Sequence, residues 1–279
     1  MSIRFGPAGN ALSFPFKSSL FAPEWLRGMG LGAYEYQCGR GVHIGEEMAK
    51  KLGEEARKHD IALSLHAPYF ISLSAPDRER IGKSIGYILA SAKAANAMGA
   101  SRIVVHCGGL CGLTREQALE NTVENLKEAL CRLSLEGLSG ITLCIETMGR
   151  INVLGTTAEV ARICSADERL LPCVDFGHVN ARTKGGISTV SDVNRELLTL
   201  EGILGFERVK KLHIHFSRIE FSNGGEVRHL TYDDERFGPD FHPVAEALAL
   251  RGYEPVVICE SAGTQAEDAL TLKNIWEEQ

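Results

Sequence analysis

Eight short β-rich runs, each followed by a longer stretch of helical periodicity, recur from one end of the chain to the other, and this alternation restricts the fold more than any other feature. The runs are SIRFG (2–6), GAYEYQ (32–37), IALSLH (61–66), RIVVH (102–106), ITLCIE (141–146), LPCVD (171–175), VKKLHIH (209–215) and PVVICE (255–260). Helical periodicity covers 44–59, 77–98, 114–135, 156–164, 191–201, 243–250 and 265–276. Strands alternating with helices of this length call for a parallel sheet, because each helix returns the chain to the same edge. Eight such units are the number that closes an α/β sheet into a (β/α)8 TIM barrel. Thr114-x-x-Gln117 and Thr156-x-x-Glu159 read as capping boxes opening two of the helices. The one long connection is Phe216–Asp240, and a loop of that length in a compact fold is usually functional or mobile. No Ser/Pro-rich linker divides the chain, so a single barrel domain over 1–279 is expected.

Composition removes several classes of function. Thirty Lys and Arg against 36 Asp and Glu give a formal charge of −6, so no global positive field advertises nucleic acid, although a local basic rim from Arg40, Arg182, Lys184, Arg218 and Arg228 stays open. The eight cysteines form no C-x-x-C pairs, which argues against a structural zinc knot and a disulfide scaffold. Cys144, Cys173 and Cys259 lie in apolar runs and are expected as small buried hydrophobes. No run approaches the roughly 18 apolar residues of a membrane span, and the opening residues lack the layout of a signal peptide. A cytoplasmic chain with no membrane partner is expected. Gly28-x-Gly30-x-Gly32 precedes a strand instead of following one, so it reads as a turn and not as a phosphate loop. Cys107 and Cys111 flank Gly108-Gly109 after the fourth strand, where a redox role is weaker than an incidental one.

In such a barrel the active site lies at the carboxyl ends of the strands, where the βα loops converge. The runs end on His66, His106, Glu146, Asp175, His213 with His215, and Glu260. His178, in VDFGHVN, and His229, in GEVRHL, can turn back over the same mouth. Taken alone, each histidine is more often a surface or satisfied core residue. Together they are hard to explain structurally. Burying several carboxylates and imidazoles costs several kcal/mol per ion unless they are paired or metal-bound, and no Arg or Lys ends a strand to neutralise them. Imidazole and carboxylate without thiolate suit zinc, with manganese or iron(II) as alternatives, and the number of groups suggests more than one ion. Tyr69, three residues past His66, is either a buried aromatic or a residue presented to substrate.

These residues resemble the endonuclease IV class of apurinic/apyrimidinic endonucleases, within the xylose-isomerase-like barrel superfamily. The resemblance covers most of the chain and rests on HAPYFISL, VVHCGG, CIET, CVDFGH, LHIHFS, GEVRHL and ICES. It implies His66, His106, Glu146, Asp175, His178, His213, His229 and Glu260 as ligands of two or three zinc ions, with Glu146 bridging and Glu260 orienting the attacking water. Glu146 and Glu260 are therefore the expected catalytic residues. The resemblance also implies abasic-site DNA as substrate, with Tyr69 near the lesion and Gln37 and Arg40 on a loop that probes the duplex. No partner protein is implied, and a monomer is expected.

The chain departs from the family pattern in places. Where the family has Asp-Arg-His, this chain has Val227-Arg228-His229, so a carboxylate of the third metal site is missing. Glu226 is adjacent but is expected to project differently, and Val227→Asp is expected to raise bound metal. His215 stands where the family has Asn; on the same strand face as His213, it is a possible extra ligand, and the choice of primary ligand between the two stays open. The rival reading is a divalent-metal sugar isomerase or epimerase holding one ion with Glu146, Asp175, His213 or His215, and Glu260.

Overall fold

A computed structural model describes residues 3–279, and the strands fall at β1 (Arg4–Pro7), β2 (Ala33–Gln37), β3 (Ala62–His66), β4 (Arg102–Val105), β5 (Thr142–Glu146), β6 (Leu170–Asp175), β7 (His213–Phe216), β8 (Ile219–Ser222), β9 (Gly225–His229) and β10 (Val256–Cys259). The helices are α1 (Ala22–Gly28), α2 (Glu46–Lys58), α3 (Arg78–Met98), α4 (Arg115–Leu135), α5 (Thr157–Cys164), α6 (Phe176–Thr183), α7 (Val190–Leu204), α8 (Phe206–Val209), α9 (His242–Leu250) and α10 (Gln265–Glu277). Eight parallel strands run in the order β1-β10-β7-β6-β5-β4-β3-β2. The seam between β1 and β2 is drawn together by Gly32 N donating to Phe5 O at 3.0 Å and Gly9 N donating to Glu35 O at 2.9 Å. The result is a (β/α)8 TIM barrel. Gly6 permits the close approach at that seam, since a Cβ there would fall 1.8 Å from the Ala33 carbonyl oxygen.

The sequence signals for α4 and α5 act as expected. Thr114 and Thr156 each accept from the amide three residues on, and the Gln117 and Glu159 side chains reach back to the cap. α3 opens on Asp77, which accepts from the Glu79 and Arg80 amides, and stops at Gly99 in the left-handed region (φ 73°). Apolar residues of the helices pack on the outer face of the sheet, while a small plug of Val104, Cys144, Leu171 and Cys173 fills the lumen. Cys144, Cys173 and Cys259 are buried, as their apolar runs imply.

Three expectations are corrected. The seventh strand does not start at 209: Phe206–Val209 is a helical turn that buries Val209, and pairing begins only at His213. Phe216–Asp240 is not plain loop but carries an antiparallel hairpin, β8–β9, turned at Asn223-Gly224, with the following Gly225 in the left-handed region (φ 89°) that only glycine adopts freely. The helices α1 and α6 were not foreseen; α1 starts with Pro23 in its first turn, and α6 starts directly on Asp175. The first expected strand includes Ser2, which lies outside the described residues. Gly28–Gly32 is the turn from α1 into β2, as read.

Candidate metal centre

Alternation along each strand sends every second side chain into the lumen, and the inward residues fall in layers. At the carboxyl end stand His66, His106, Glu146, Asp175, His215 and Glu260. One layer deeper stand Glu35, Ser64, Cys144, Cys173 and His213. The pairings Glu146↔Cys173 and Asp175↔His215 fix their relative heights. Glu35, Glu146, Asp175, His213 and His215 are fully buried.

The ligand groups converge on Glu146. Its Oε2 lies 2.7 Å from His106 Nε2 and 3.3 Å from His66 Nε2, and its Oε1 lies 3.2 Å from His178 Nδ1 and 3.3 Å from His215 Nδ1. Glu146, Asp175, His215 and Glu260 each offer an atom within 4.8 Å of the others, and His66, Glu146 and His215 do the same. His215, not His213, joins Asp175 and Glu260, so the structure separates the two histidines that the sequence left equivalent. His213 sits deeper, its Nε2 hydrogen-bonded to Glu35 Oε2 at 2.9 Å.

Outer acceptors orient several of these rings. His66 Nδ1 meets the Ala67 carbonyl at 2.7 Å, His178 Nδ1 the Thr147 carbonyl at 3.0 Å, and His229 Nδ1 the Ser217 hydroxyl at 2.8 Å. His215 Nε2 lies 3.0 Å from Glu35 Oε1. His66, His178 and His229 are each tied through Nδ1 with Nε2 left over, the arrangement that sets tautomer and direction in metal-binding histidines, whereas His215 has no hydrogen bond at either nitrogen. Glu146 Oε1, Asp175 Oδ2 and His215 Nδ1 have no hydrogen-bond partner although buried. Buried polar atoms are rarely left so, and a cation in their midst would satisfy all three.

A second correction concerns the hairpin. Glu220 pairs with Arg228 and Phe221 with Glu226, so Val227 is an extra residue bulged from the ladder. A bulge interrupts the alternation of side chains, which brings Glu226 round to the side of His229. The side chains of His178, Glu226 and His229 lie within 4.8 Å of one another, while Val227 is 45% exposed. Glu226, which the sequence suggested would project differently, thus stands beside His178 and His229.

Burial pushes the Glu146 carboxyl up, but the His106 and His215 rings hold it well below the ordinary range. The same contest, won by His215, draws Glu260 down to about 2. Asp175 goes the other way, raised by burial and by the nearby Glu260 and Glu146. Burial alone would lower His66, yet Glu146 lifts it to about 9. No Arg or Lys ion-pairs with these carboxylates among the described residues. Compensation falls to the imidazoles, and a divalent cation could take the place of their protons.

Beside the cluster a cavity of about 370 Å³ is lined by Tyr69, His106, Gly108, Gly109, Arg150 and Glu226, among others. Tyr69 is 51% exposed at its rim, which resolves the sequence ambiguity towards an accessible ring. Gln37 and Arg40 are exposed near the end of β2, and Gln37 Nε2 donates to Glu35 at 3.2 Å. The basic rim is smaller than the sequence suggests: Arg182 donates to main-chain carbonyls, Arg228 pairs with Glu220, Arg218 donates to the Asp234 carbonyl, and Lys184 donates to Asn223. Glu35 is not a strand-end residue, since β2 ends on Gln37. Period-two alternation from Gln37 pointed to it.

Comparison with known proteins adds a family. The family model described as the xylose isomerase-like TIM barrel matches residues 23–277. An uncharacterised protein of Methanocaldococcus jannaschii is 34% identical over 269 residues, covering 96% of this chain and 95% of its own. A probable endonuclease 4 of Shouchella clausii is 30% identical over 220 residues, 74% of this chain and 72% of that one. Among solved structures, a D-tagatose 3-epimerase-like protein superposes with a TM-score of 0.75 at 23% identity, over 99% of this chain and 96% of that one. Endonuclease IV from Thermus thermophilus does so with a TM-score of 0.68 at 20% identity, over 99% of each chain. Both structural likenesses concern the fold.

Proposed function

The chain belongs to the xylose isomerase-like TIM-barrel family, and on that premise we propose that it is an endonuclease IV-like, metal-dependent hydrolase that cleaves DNA phosphodiesters at abasic sites in base excision repair. The observation that carries this reading is the number of ligand sets. His66, His106 and Glu146 would hold one ion, Glu146, Asp175, His215 and Glu260 a second, and His178, Glu226 and His229 a third. Zinc suits these nitrogen and oxygen donors, with manganese or iron(II) as alternatives. When bound, such ions would supply Lewis acidity for a phosphodiester and acidify water. A probable endonuclease 4 among the relatives supports the same reaction class.

The chain's own residues have definite tasks in this reading. Glu146 spans the first two sets through its two carboxylate oxygens. Glu260, kept ionised by His215, is placed to accept a proton from the attacking water. Tyr69 stacks at the rim where an extruded abasic nucleotide would enter, and exposed Arg40 and Gln37 contact the duplex.

The second reading is a sugar epimerase, favoured by one observation: Glu146, Asp175, His215 and Glu260 alone form a complete four-residue set. Incision of a duplex carrying one abasic analogue, with undamaged duplex and chelated protein as controls, tests the first. Chelator-sensitive cleavage 5′ to the lesion with two or three bound ions supports the hydrolase. No cleavage by folded, loaded protein holding one ion supports the epimerase.

A further inference from the structure

The loop that follows β5, residues 147–156, is fastened on several sides. Arg182 donates to the carbonyls of Met148 at 3.0 Å, Arg150 at 2.8 Å and Ile151 at 3.2 Å. Arg115 donates to Ile151 O at 2.9 Å and Val153 O at 3.2 Å. Main-chain bonds join the loop to the neighbouring segments, from Leu154 N to Gly108 O, from Ile151 N to Gly224 O and from Glu226 N to Gly149 O. Two arginines are thus consumed in holding the backbone at Arg150.

Arg150 itself is exposed and lines the cavity beside the ligand cluster. Its guanidinium has no hydrogen-bond or ion-pair partner among the described residues. The amides of Gly108 and Gly109, which line the same cavity, also donate to nothing among the described residues. A free arginine on a surface is ordinary. A free arginine on a pinned backbone, in a cavity lined also by His106 and by two glycines whose amides are unused, gathers donors without an acceptor round one space. A planar guanidinium with adjacent N–H groups matches the oxygens of a phosphate.

We propose that this cavity is an anion subsite, in which Arg150 and the Gly108 and Gly109 amides hold a phosphate of the substrate other than the one attacked at the cluster. The inference rests on the hydrolase reading for its DNA form. The chemistry it requires is a phosphate ester, which a nucleic-acid backbone or a phosphorylated sugar can supply.

Two experiments separate these sources and separate this inference from the reading beneath it. In the first, metal-loaded wild type, Arg150→Ala and Arg150→Lys cleave abasic duplexes in which one flanking phosphate at a time is replaced by neutral methylphosphonate. At one position the wild type is expected to lose about tenfold to a hundredfold in kcat/KM, the range for a hydrogen bond to a charged group. R150A is expected to show that loss on the natural duplex and none further on the modified one, with a salt slope smaller by about one. R150K is expected to retain part of the effect. In the second, calorimetry measures binding of 2-deoxyribose 3-phosphate, which carries the flanking phosphate and not the attacked one, against 2-deoxyribose, with binding of the phosphate form weakened in R150A. Wild-type incision with losses that simply multiply at every position overturns the subsite while leaving the hydrolase intact. No incision, but Arg150-dependent binding of the sugar phosphate, upholds the subsite and assigns it to a small substrate. Neither cleavage nor binding by folded, loaded protein overturns both.

Discussion

His178 Nε2 lies 3.5 Å from Glu226 Oε2 because Val227 is extruded from the β8–β9 ladder. The bulge turns an acidic residue inward that strict alternation would have placed on the other face. Glu226→Ala is therefore expected to lower bound metal by about one ion per chain, since binding depends on each deprotonated ligand. Deleting Val227 should leave metal content unchanged, because Glu226 then stands two positions from His229 and regular alternation keeps both on one face. Val227→Asp should also leave it unchanged, because the side chain at 227 points to solvent. Elemental analysis of the three variants checks this, and a gain of metal in V227D would mean that the bulge is absent.

Glu35 closes the floor of the site. It accepts from His213 Nε2 at 2.9 Å and Ser64 Oγ at 2.9 Å, and lies 3.0 Å from His215 Nε2. Glu35→Ala strands these groups in a buried layer, at a cost of about 3–5 kcal/mol by analogy with breaking other buried ion pairs. Glu35→Gln keeps an acceptor and should cost less. Both should weaken metal binding, E35A by about tenfold to a hundredfold, because the orientation of His215 depends on its outer partner. Urea unfolding of metal-stripped protein and competition with a chromogenic chelator measure the two effects. Stability of E35A equal to wild type would remove Glu35 from this role.

Glu146→Gln and His106→Ala are expected to abolish metal-dependent activity while the barrel still folds, since residues at the mouth serve the site more than the core. His106 is partly exposed and packs edge-on against His66. Chelation should lower the melting temperature of the wild type by removing a ligand that binds only the folded state. The same treatment should shift E146Q far less. Equal shifts would place the bound metal elsewhere.

The sequence disclosed the barrel because β and α periodicities differ and eight units repeat; it disclosed most of the cluster because strand ends meet at one mouth. Its omissions have local causes. Glu35 lies one inward step below the end of β2, and only a full count of lumen-facing positions reaches it. The rotation of Glu226 depends on a single extra residue in a hairpin, which no fixed motif spacing encodes. His213 and His215 share a strand face, so their separation into two layers required the heights of β2 and β10 on either side of the lumen. Arg150 carries no sequence signal that sets it apart from a surface arginine, because only the fold brings Arg115 and Arg182 to the carbonyls of the loop around it.

Glu159 connects the stability of that loop to pH. Its carboxylate receives Arg115 Nε at 2.7 Å and the Gly155 and Thr156 amides at 3.0 and 2.9 Å. Burial alone would raise its pKa, but Arg115 and the two amides bring it down to about 2 from an ordinary 4.5. A carboxyl with a lower pKa in the folded state binds fewer protons folded than unfolded, so it contributes stability above the unfolded value. That contribution is complete above about pH 4.5 and is lost as the pH falls through the folded value near 2. Glu159→Gln removes the ionisation without removing the bulk. The difference in melting temperature between wild type and E159Q should be largest at neutral pH and shrink between pH 4.5 and 2. Because Arg115 then loses the carboxylate that orients it, the Ile151 and Val153 carbonyls lose a fixed donor, and E159Q should also bind 2-deoxyribose 3-phosphate less tightly at neutral pH. A difference in melting temperature that is constant with pH would show that the charge of Glu159 is not what holds the loop.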